Sequence, residues 1–262
     1  MTTGKEKLVR IATKMNKLPS RLNKEPLVDA IFELRFSSEA PATNLLPGFF
    51  FGKLECERHI EHLPAMQIPT QVRESDQNLQ FTPLLKIKWK TFTISIGDKV
   101  IVLGCGLPYP GWSVFKEAIL DVMKVTSELG LLQSVVRYSL KYVDLVPSLS
   151  IAEQIDDIAL ELKMGSYELI SDRFNIRLDL HRDGVLHIVN IVASAQAQLS
   201  NGKAIEGLVV DTDSIVNAND VTFADWMGSS EALLDSLHQS NKQTFFDILS
   251  EKAIEKLEPE YD

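Results

Sequence analysis

The chain has few cysteines and no long apolar run. Its two cysteines, Cys56 and Cys105, are too few for a disulfide framework in 262 residues, which favours a reducing compartment. The longest apolar runs, such as residues 48–52 and 208–210, are far too short to cross a bilayer. The Lys-rich N-terminus lacks the apolar stretch of a secretory signal. We therefore expect a cytoplasmic protein with no attachment to a membrane.

The signatures of common nucleotide-binding and hydrolytic sites are also missing. Gly104-Cys105-Gly106 follows a predicted strand, but the third glycine of the dinucleotide fingerprint is absent, and no Walker lysine occurs. There is no Gly-x-Ser-x-Gly elbow, and Cys105 is expected to be a buried structural cysteine. Tyr109 and Trp112, which follow this loop, are expected to anchor it to the core. These absences favour a protein without a cofactor and without catalytic residues, although the question of an enzyme stays open.

Charge is distributed unevenly along the chain, whose formal net charge is -9. Residues 1–24 contain seven basic residues and one acidic residue, which leaves 20 basic and 35 acidic residues in the rest. The spacing of apolar and basic residues predicts a short amphipathic helix in this segment. We interpret residues 1–24 as a basic arm on an acidic body. Its candidate residues for binding phosphates or an acidic surface are Lys7, Arg10, Lys14 and Lys17.

Two halves of the chain show the same order of predicted elements. Alternating apolar residues predict a long strand at 28–36 and another at 135–146, and both contain the order aromatic, polar, Leu, basic, aromatic. Each strand is followed by a predicted helix, several strands and a second helix. We interpret the chain as a tandem duplication of a β-α-(antiparallel strands)-α unit, with lobes at 25–133 and 134–262. An α+β fold follows, in which one extended antiparallel sheet carries its helices mainly on one face.

Further local patterns predict individual elements within the two lobes. Residues 45–62 are expected to form a helix and residues 67–74 a strand. Residues 85–96 are expected to form one strand with a bulge near Thr91, where the apolar phase slips. In the second lobe, the Asp-Gly pair at 183–184 predicts the turn of a β-hairpin. Residues 205–213 are expected to form a strand, and residues from about 230 to 249 a helix.

One stretch of sequence carries a resemblance to a known family. Residues 22–36, LNKEPLVDAIFELRF, resemble the opening of a sporadically distributed, uncharacterised bacterial family of about 250 residues with the signature PLVxAIFELRF. The resemblance extends to residue 257, and where the family usually has Arg-Tyr-Ile-Asn this chain has residues 141–144, Lys-Tyr-Val-Asp. It implies no established activity, and the patchy distribution implies antiviral-defence or toxin–antitoxin loci. The further blocks that fit are residues 109–112, 136–144 and 211–213, with Leu237-His238 and Phe245 in the closing helix.

Two groups of residues are of the types that bind metal ions. Cys56, His59 and His62 lie three residues apart and would nearly share one face of the predicted helix, but no further ligand is evident. Asp211 and Asp213 flank Thr212 at the end of a predicted strand, but the residues after them do not fit a calcium loop. A buried cysteine, histidines near a helix end and a turn-capping aspartate explain both patterns without a metal. We therefore predict no resident metal.

A basic stripe lies on one predicted strand. Lys86, Lys88 and Lys90 alternate around Trp89, and such a stripe can follow a phosphate backbone. Lysines on a strand also protect a sheet edge from pairing with another chain, which is the interpretation that we favour.

Three functional hypotheses follow from the sequence. The first is a non-enzymatic protein-binding module of a defence or toxin–antitoxin locus, because no catalytic motif is found and the acidic body suits a basic partner. The second is a nucleic-acid-binding protein that uses the basic arm and the lysine stripe. The third is a metal-dependent enzyme that uses Asp211 and Asp213. A homodimer is possible under each hypothesis.

Overall fold

The structure is a computed structural model that describes residues 18–161, 163–168, 170–198 and 204–261. Most of the predicted basic arm lies outside the described residues, and so do Lys7, Arg10, Lys14 and Lys17. Within the described part of the chain, no helix is both long enough and apolar enough to cross a membrane.

Groups of consecutive strands are separated by helices along the chain. The strands are β1 (Arg21–Leu22), β2 (Leu27–Ser38), β3 (Glu61–His62), β4 (Leu85–Trp89), β5 (Phe92–Ile96), β6 (Val100–Cys105), β7 (Leu132–Pro147), β8 (Lys163–Met164), β9 (Tyr167–Glu168), β10 (Asn175–Arg182), β11 (Val185–Gln198), β12 (Ala204–Thr222) and β13 (Pro259–Glu260). The helices are α1 (Leu46–Lys53), α2 (Thr70–Ser75), α3 (Trp112–Glu128), α4 (Ile151–Asp156), α5 (Phe223–Ile248) and α6 (Glu251–Lys256).

One antiparallel sheet contains nine of these strands. Its order is β10-β11-β12-β7-β2-β6-β5-β4-β3, so β2 and β7 pair at the centre. Outward from the centre, the first half continues as β6, β5 and β4, and the second half continues in the same sense as β12, β11 and β10. The α+β fold with one extended antiparallel sheet is therefore confirmed. The strand order is the same in both halves, whereas the duplication and the lobe boundaries stay predictions.

The alternation of β2 determines which face of the sheet is covered. Phe32 and Leu34 are fully buried, whereas Glu33 and Arg35 between them are partly exposed. The buried side chains share a core with residues of α1, α3 and α5. These helices therefore cover one face, and the partly exposed residues lie on the opposite face, which we call the open face.

The predicted helix at 45–62 is wrong beyond Lys53. α1 ends there, and the following segment is extended along the outer edge of the first half. Glu57 donates a backbone hydrogen bond to Lys88, and β3 pairs with β4. The edge of the sheet provides these backbone partners, and this tertiary pairing overrides the local helical pattern.

Two other predictions in the first half are also wrong. Residues 85–96 form a hairpin, with Trp89 opposite Phe92, and Lys90 has φ 54° in the turn between them. The turn, and not a bulge, explains the slip in apolar phase. Residues 67–74 do not form a strand, because a 3-10 turn at Pro64–Gln67 is followed by α2.

Candidate functional site

A cavity of about 470 Å³ lies on the helix-covered side of the sheet. It is bounded by the segment that leads into β2, by the end of β7, by the loop before α3 and by the second half of α5. Its volume falls within the range of small-molecule sites in proteins. Its aromatic walls are Tyr109, Trp112, Tyr142, His238, Phe245 and Phe246, and its main polar groups are Arg21, Glu25, Asp144, Asn241 and Lys242.

The register of β7 places an acidic residue in an apolar row. Leu140, Tyr142 and Asp144 are two residues apart and therefore face the same side of the sheet. Asp144 lies opposite Leu27 on β2 and opposite the buried Val210 on β12. An apolar side chain would continue this row into the core, but the chain has a carboxyl group here.

The carboxyl group of Asp144 has no polar partner among the described residues. Only 7% of the residue is exposed, and the structure gives it neither a hydrogen bond nor a salt bridge to a described residue. Burial raises the pKa of Asp144 well above its usual value, and the nearby carboxyl groups of Glu25 and Asp211 raise it further. Burial and the neighbouring carboxyl groups thus favour the protonated form of Asp144.

Three side chains that line the cavity form a hydrogen-bonded chain. The hydroxyl groups of Tyr109 and Tyr142 are 3.4 Å apart, and the Tyr142 hydroxyl is 3.2 Å from Nδ1 of His238. Burial lowers the pKa of His238 to about 4, so its imidazole is neutral at pH 7. Burial raises the pKa values of both tyrosines, which stay protonated. The cavity thus contains several groups that can hold or transfer a proton.

Contacts between α3 and α5 fix one wall of the cavity. The rings of Trp112 and His238 stack with their centroids 4.2 Å apart and their planes 7° from parallel. Nε1 of Trp112 donates a hydrogen bond of 2.8 Å to Asp235, which also accepts one of 2.8 Å from Lys116. Both partners of the stacked pair therefore have a defined orientation before any ligand binds.

Positive charges lie near the second acidic residue of the cavity. Burial raises the pKa of Glu25, whereas the charges of Arg21 and Lys242 lower it. The charge of Glu25 is thus partly compensated by these two cations. The nearby charges that act on Asp144 are both negative, which distinguishes the two carboxyl groups.

The structure separates Asp211 and Asp213 from this cavity. The predicted strand at 205–213 is too short, because β12 continues to Thr222 and both residues lie within it. They lie on the open face, where Asp211 accepts a hydrogen bond of 2.8 Å from Lys141. Burial raises the pKa of Asp213, and the charge of Arg137 opposes this shift. The expected position of this pair at a strand end is therefore wrong.

The predicted Cys-His group does not form on a helix. Cys56 makes an isolated bridge to Trp89, and His62 lies in β3 opposite Leu85. Burial raises the pKa of the Cys56 thiol to about 11 and that of the Cys105 thiol to about 11. Both thiols are therefore protonated at neutral pH. Among the described residues, no group of three or more His, Cys, Asp and Glu side chains is arranged to hold a metal ion.

The three lysines of the predicted stripe do not share one surface. Lys86 and Lys88 are on the open face of β4, and Lys86 is 3.0 Å from the carboxylate of Glu61. Lys90 lies in the turn after β4, with its ammonium group 4.8 Å from the centroid of the Trp89 ring. Trp89 itself is buried in the core, so it is not available to stack on a base.

Sequence reasoning found the segments of the cavity but not the cavity itself. The blocks at 22–36, 109–112 and 136–144 contribute to its lining, as do His238 and Phe245 from the closing helix. From the sequence, these blocks indicate only a family resemblance, and Tyr109 and Trp112 are expected only to anchor a loop. The available signal was Asp144, an acidic residue at a position where the alternation of β7 calls for an apolar one.

No family model matches the chain, and no curated protein matches it either. Membership of the uncharacterised bacterial family therefore stays a prediction.

Proposed function

We propose that the protein is a non-enzymatic binding module that takes a group of a partner protein into the cavity. The observation that carries this proposal is the carboxyl group of Asp144, which is buried, lacks a polar partner among the described residues and lines a cavity large enough for a ligand. Buried polar groups normally have hydrogen-bond partners. A ligand that donates a hydrogen bond to Asp144, or pairs with its charge, would remove the free-energy cost of burying this carboxyl group without a partner.

The charge of the chain supports a basic partner. The formal net charge is -9, and the acidic residues lie mostly outside the first 24 residues. Complementary charge increases the rate at which two proteins meet and selects against partners of like charge. An acidic protein with an unpartnered carboxyl group in a cavity is thus suited to a positively charged partner. The association with antiviral-defence or toxin–antitoxin loci stays a prediction.

The open face gives less support to nucleic-acid binding. Its central cations have anionic neighbours: Arg137 is 2.8 Å from Glu33, and Lys141 is 2.8 Å from Asp211. Phosphates would have to compete with these carboxylates. The lysine stripe and the basic arm remain the hypothesis for nucleic acid that the sequence provides.

Photo-crosslinking in cells that naturally produce the protein tests the binding proposal. Pro110 is exposed and lines the cavity, and it is replaced by the photoreactive residue p-benzoylphenylalanine. The control places the same photoreactive residue at Leu180, which lies on β10 at the far end of the sheet. Leu180 is 38% exposed. We expect a covalent adduct with one protein partner from position 110 and none of that mass from position 180. Equal adduct patterns at the two positions, or no adduct at 110, would contradict the proposal.

A further inference from the structure

Asp144 is the group in the cavity that most clearly lacks a hydrogen-bond or charge partner among the described residues. Its carboxyl group lies at the end of β7, beside the rings of Tyr109 and Tyr142, with 7% of the residue exposed. A buried carboxylate is stable when a cation or several hydrogen-bond donors accompany it. Among the described residues it has neither a hydrogen bond nor an ion pair. A proton or a cationic ligand can neutralise the charge at this position.

The charged groups around Asp144 are of both signs: two carboxyl groups oppose its ionisation, and two cations line the same cavity beside Glu25. The carboxyl groups of Glu25 and Asp211 both act against its ionisation. His238 on α5 is neutral at pH 7 because burial lowers its pKa to about 4. The remaining titratable or charged groups of the neighbouring elements are Arg21, Cys105, Tyr109, Tyr142 and Lys242, and the two cations among them act on Glu25.

The aromatic lining gives the second observation that points to the ligand. Tyr109, Tyr142 and Trp112 line the cavity together with Asp144. Aromatic rings attract organic cations through the negative charge on their faces, and such rings beside a carboxylate form cages for ammonium groups. The same rings cover the hydrocarbon part of a lysine or arginine side chain. The cavity therefore combines the two features that an organic cation needs.

We propose that the ligand group is an organic cation, an ammonium or guanidinium group on a basic side chain of the partner protein, which enters the cavity in exchange for a proton on Asp144. The inference rests on the proposed binding function. The exchange is balanced: the O–H bond of Asp144 breaks, its proton goes to the buffer, and the carboxylate that remains pairs with the cation. No oxidant, reductant or further reactant takes part.

The fluorescence of Trp112 provides the assay. Trp112 lines the cavity, whereas the other two tryptophans, Trp89 and Trp226, are at most 2% exposed in the core. The probes are n-butylammonium, n-butylguanidinium and the tripeptides Gly-Lys-Gly and Gly-Arg-Gly with acetylated N-termini and amidated C-termini. The uncharged controls are 1-butanol and Gly-Gln-Gly with the same blocked termini. Titrations at pH 6, 7 and 8 use phosphate, because amine buffers would compete for the site.

We expect the cationic probes to bind and the uncharged controls not to bind. The affinity for a cationic probe should rise about tenfold for each unit of increase in pH, as long as Asp144 is protonated in the free protein. This follows because one proton is released for each cation that binds. A slope of log affinity against pH near one supports the exchange. Cation binding with no dependence on pH would overturn it, because Asp144 would then already be ionised in the empty cavity.

Three variants test whether Asp144 is responsible for cation binding and for its dependence on pH. Asp144→Asn keeps the size of the side chain and should weaken cation binding at least tenfold, with the pH slope lost. Glu25→Gln should keep the slope, which separates the two carboxyl groups of the cavity. The matched surface control is Asp179→Asn on β10, where 54% of the side chain is exposed, and it should bind as the original protein does. A slope that persists in Asp144→Asn would overturn the assignment.

The outcomes distinguish this inference from the proposed function. A crosslinked partner at position 110 without binding of any cationic probe would overturn the cationic ligand and leave the binding function in place. Binding of n-butylammonium without binding of either basic tripeptide would identify a free small amine as the ligand and overturn the protein side chain. Absence of both the crosslink and cation binding would overturn the binding function itself.

Discussion

Replacing Asp144 by asparagine should stabilise the protein, and the gain should depend on pH. The carboxyl group is buried with no donor to either oxygen among the described residues, and two other carboxyl groups lie near it. Its pKa is therefore higher in the folded than in the unfolded protein, where an aspartate titrates near about 3.9. The folded protein binds the extra proton, so its stability falls as pH rises above the unfolded value and towards the folded one.

The magnitude follows from the cost of a buried charge. An amide at position 144 has polar atoms of its own to satisfy, so the difference between the two proteins comes from the ionisation of Asp144. The gain in the free energy of unfolding should rise by up to about 1.4 kcal/mol per pH unit above the unfolded pKa. At pH 4 the two proteins should differ least, because about half of the unfolded molecules already carry the proton on Asp144. Between pH 6 and pH 8 the gain should grow by about 1.4 kcal/mol per pH unit, because Asp144 must stay protonated in the folded protein over this range if it exchanges a proton for the cation.

Urea unfolding at pH 4 and pH 8 measures this difference. Asp179→Asn is the control, because its side chain is 54% exposed, and it should change stability by less than about 0.5 kcal/mol at either pH. A difference for Asp144→Asn that is the same at both pH values would refute the reasoning. So would a loss of stability at pH 8, because it would mean that the carboxylate makes favourable contacts in the folded protein.

Three further substitutions test the core and its buried polar groups. Phe32→Ala, at a fully buried position of β2, should lower the free energy of unfolding by about 3–5 kcal/mol in urea titrations. Lys256→Met should cost about 3 kcal/mol, because it leaves the buried carboxylate of Asp157, 2.7 Å from the Lys256 ammonium group, without its cation. His187 is buried, and burial lowers its pKa, so the folded protein should lose stability as pH falls from about 6.5. His187→Gln should reduce that loss between pH 7 and pH 5, and an unchanged pH dependence would count against it.

The long strands and the hairpin of the second half could be predicted from local sequence. Strict alternation marks β2 and β7, and the structure pairs them at the centre of the sheet. The Asp-Gly pair at 183–184 forms the turn between β10 and β11, as expected. These elements are predictable because one face of each strand is buried, so the apolar period is visible in the chain.

The elements that were not predicted depend on tertiary contacts. Residues 54–62 have a composition compatible with a helix, but they pair with the edge of β4. The turn at Lys90 requires a positive φ from a residue that rarely adopts it, so no turn signal was visible. The start of α5 was expected near residue 230, whereas Thr222 caps the helix by accepting a hydrogen bond from Asp225.

The cavity could not be located from sequence because its lining comes from distant parts of the chain. Glu25, Tyr109, Asp144 and His238 are brought together by the pairing of β2 with β7 and by the packing of α5 on the sheet. The paired aspartates of β12 give a stronger signal in the sequence, because two close acidic residues are a familiar metal-binding pattern. A single acidic residue in an apolar strand, such as Asp144, is a weaker indication of a binding site. Its burial in the cavity becomes visible only in the structure.

The carboxyl-carbon chemical shift of Asp144 tests the central claim most directly. It can be assigned by comparing carbon-13 spectra of the original protein and of Asp144→Asn, both recorded at pH 7 with and without saturating n-butylammonium. We expect the shift of a protonated acid in the empty cavity and the shift of a carboxylate when the cation is bound. A shift that is the same in both states would contradict the claim that Asp144 exchanges a proton for a cationic ligand.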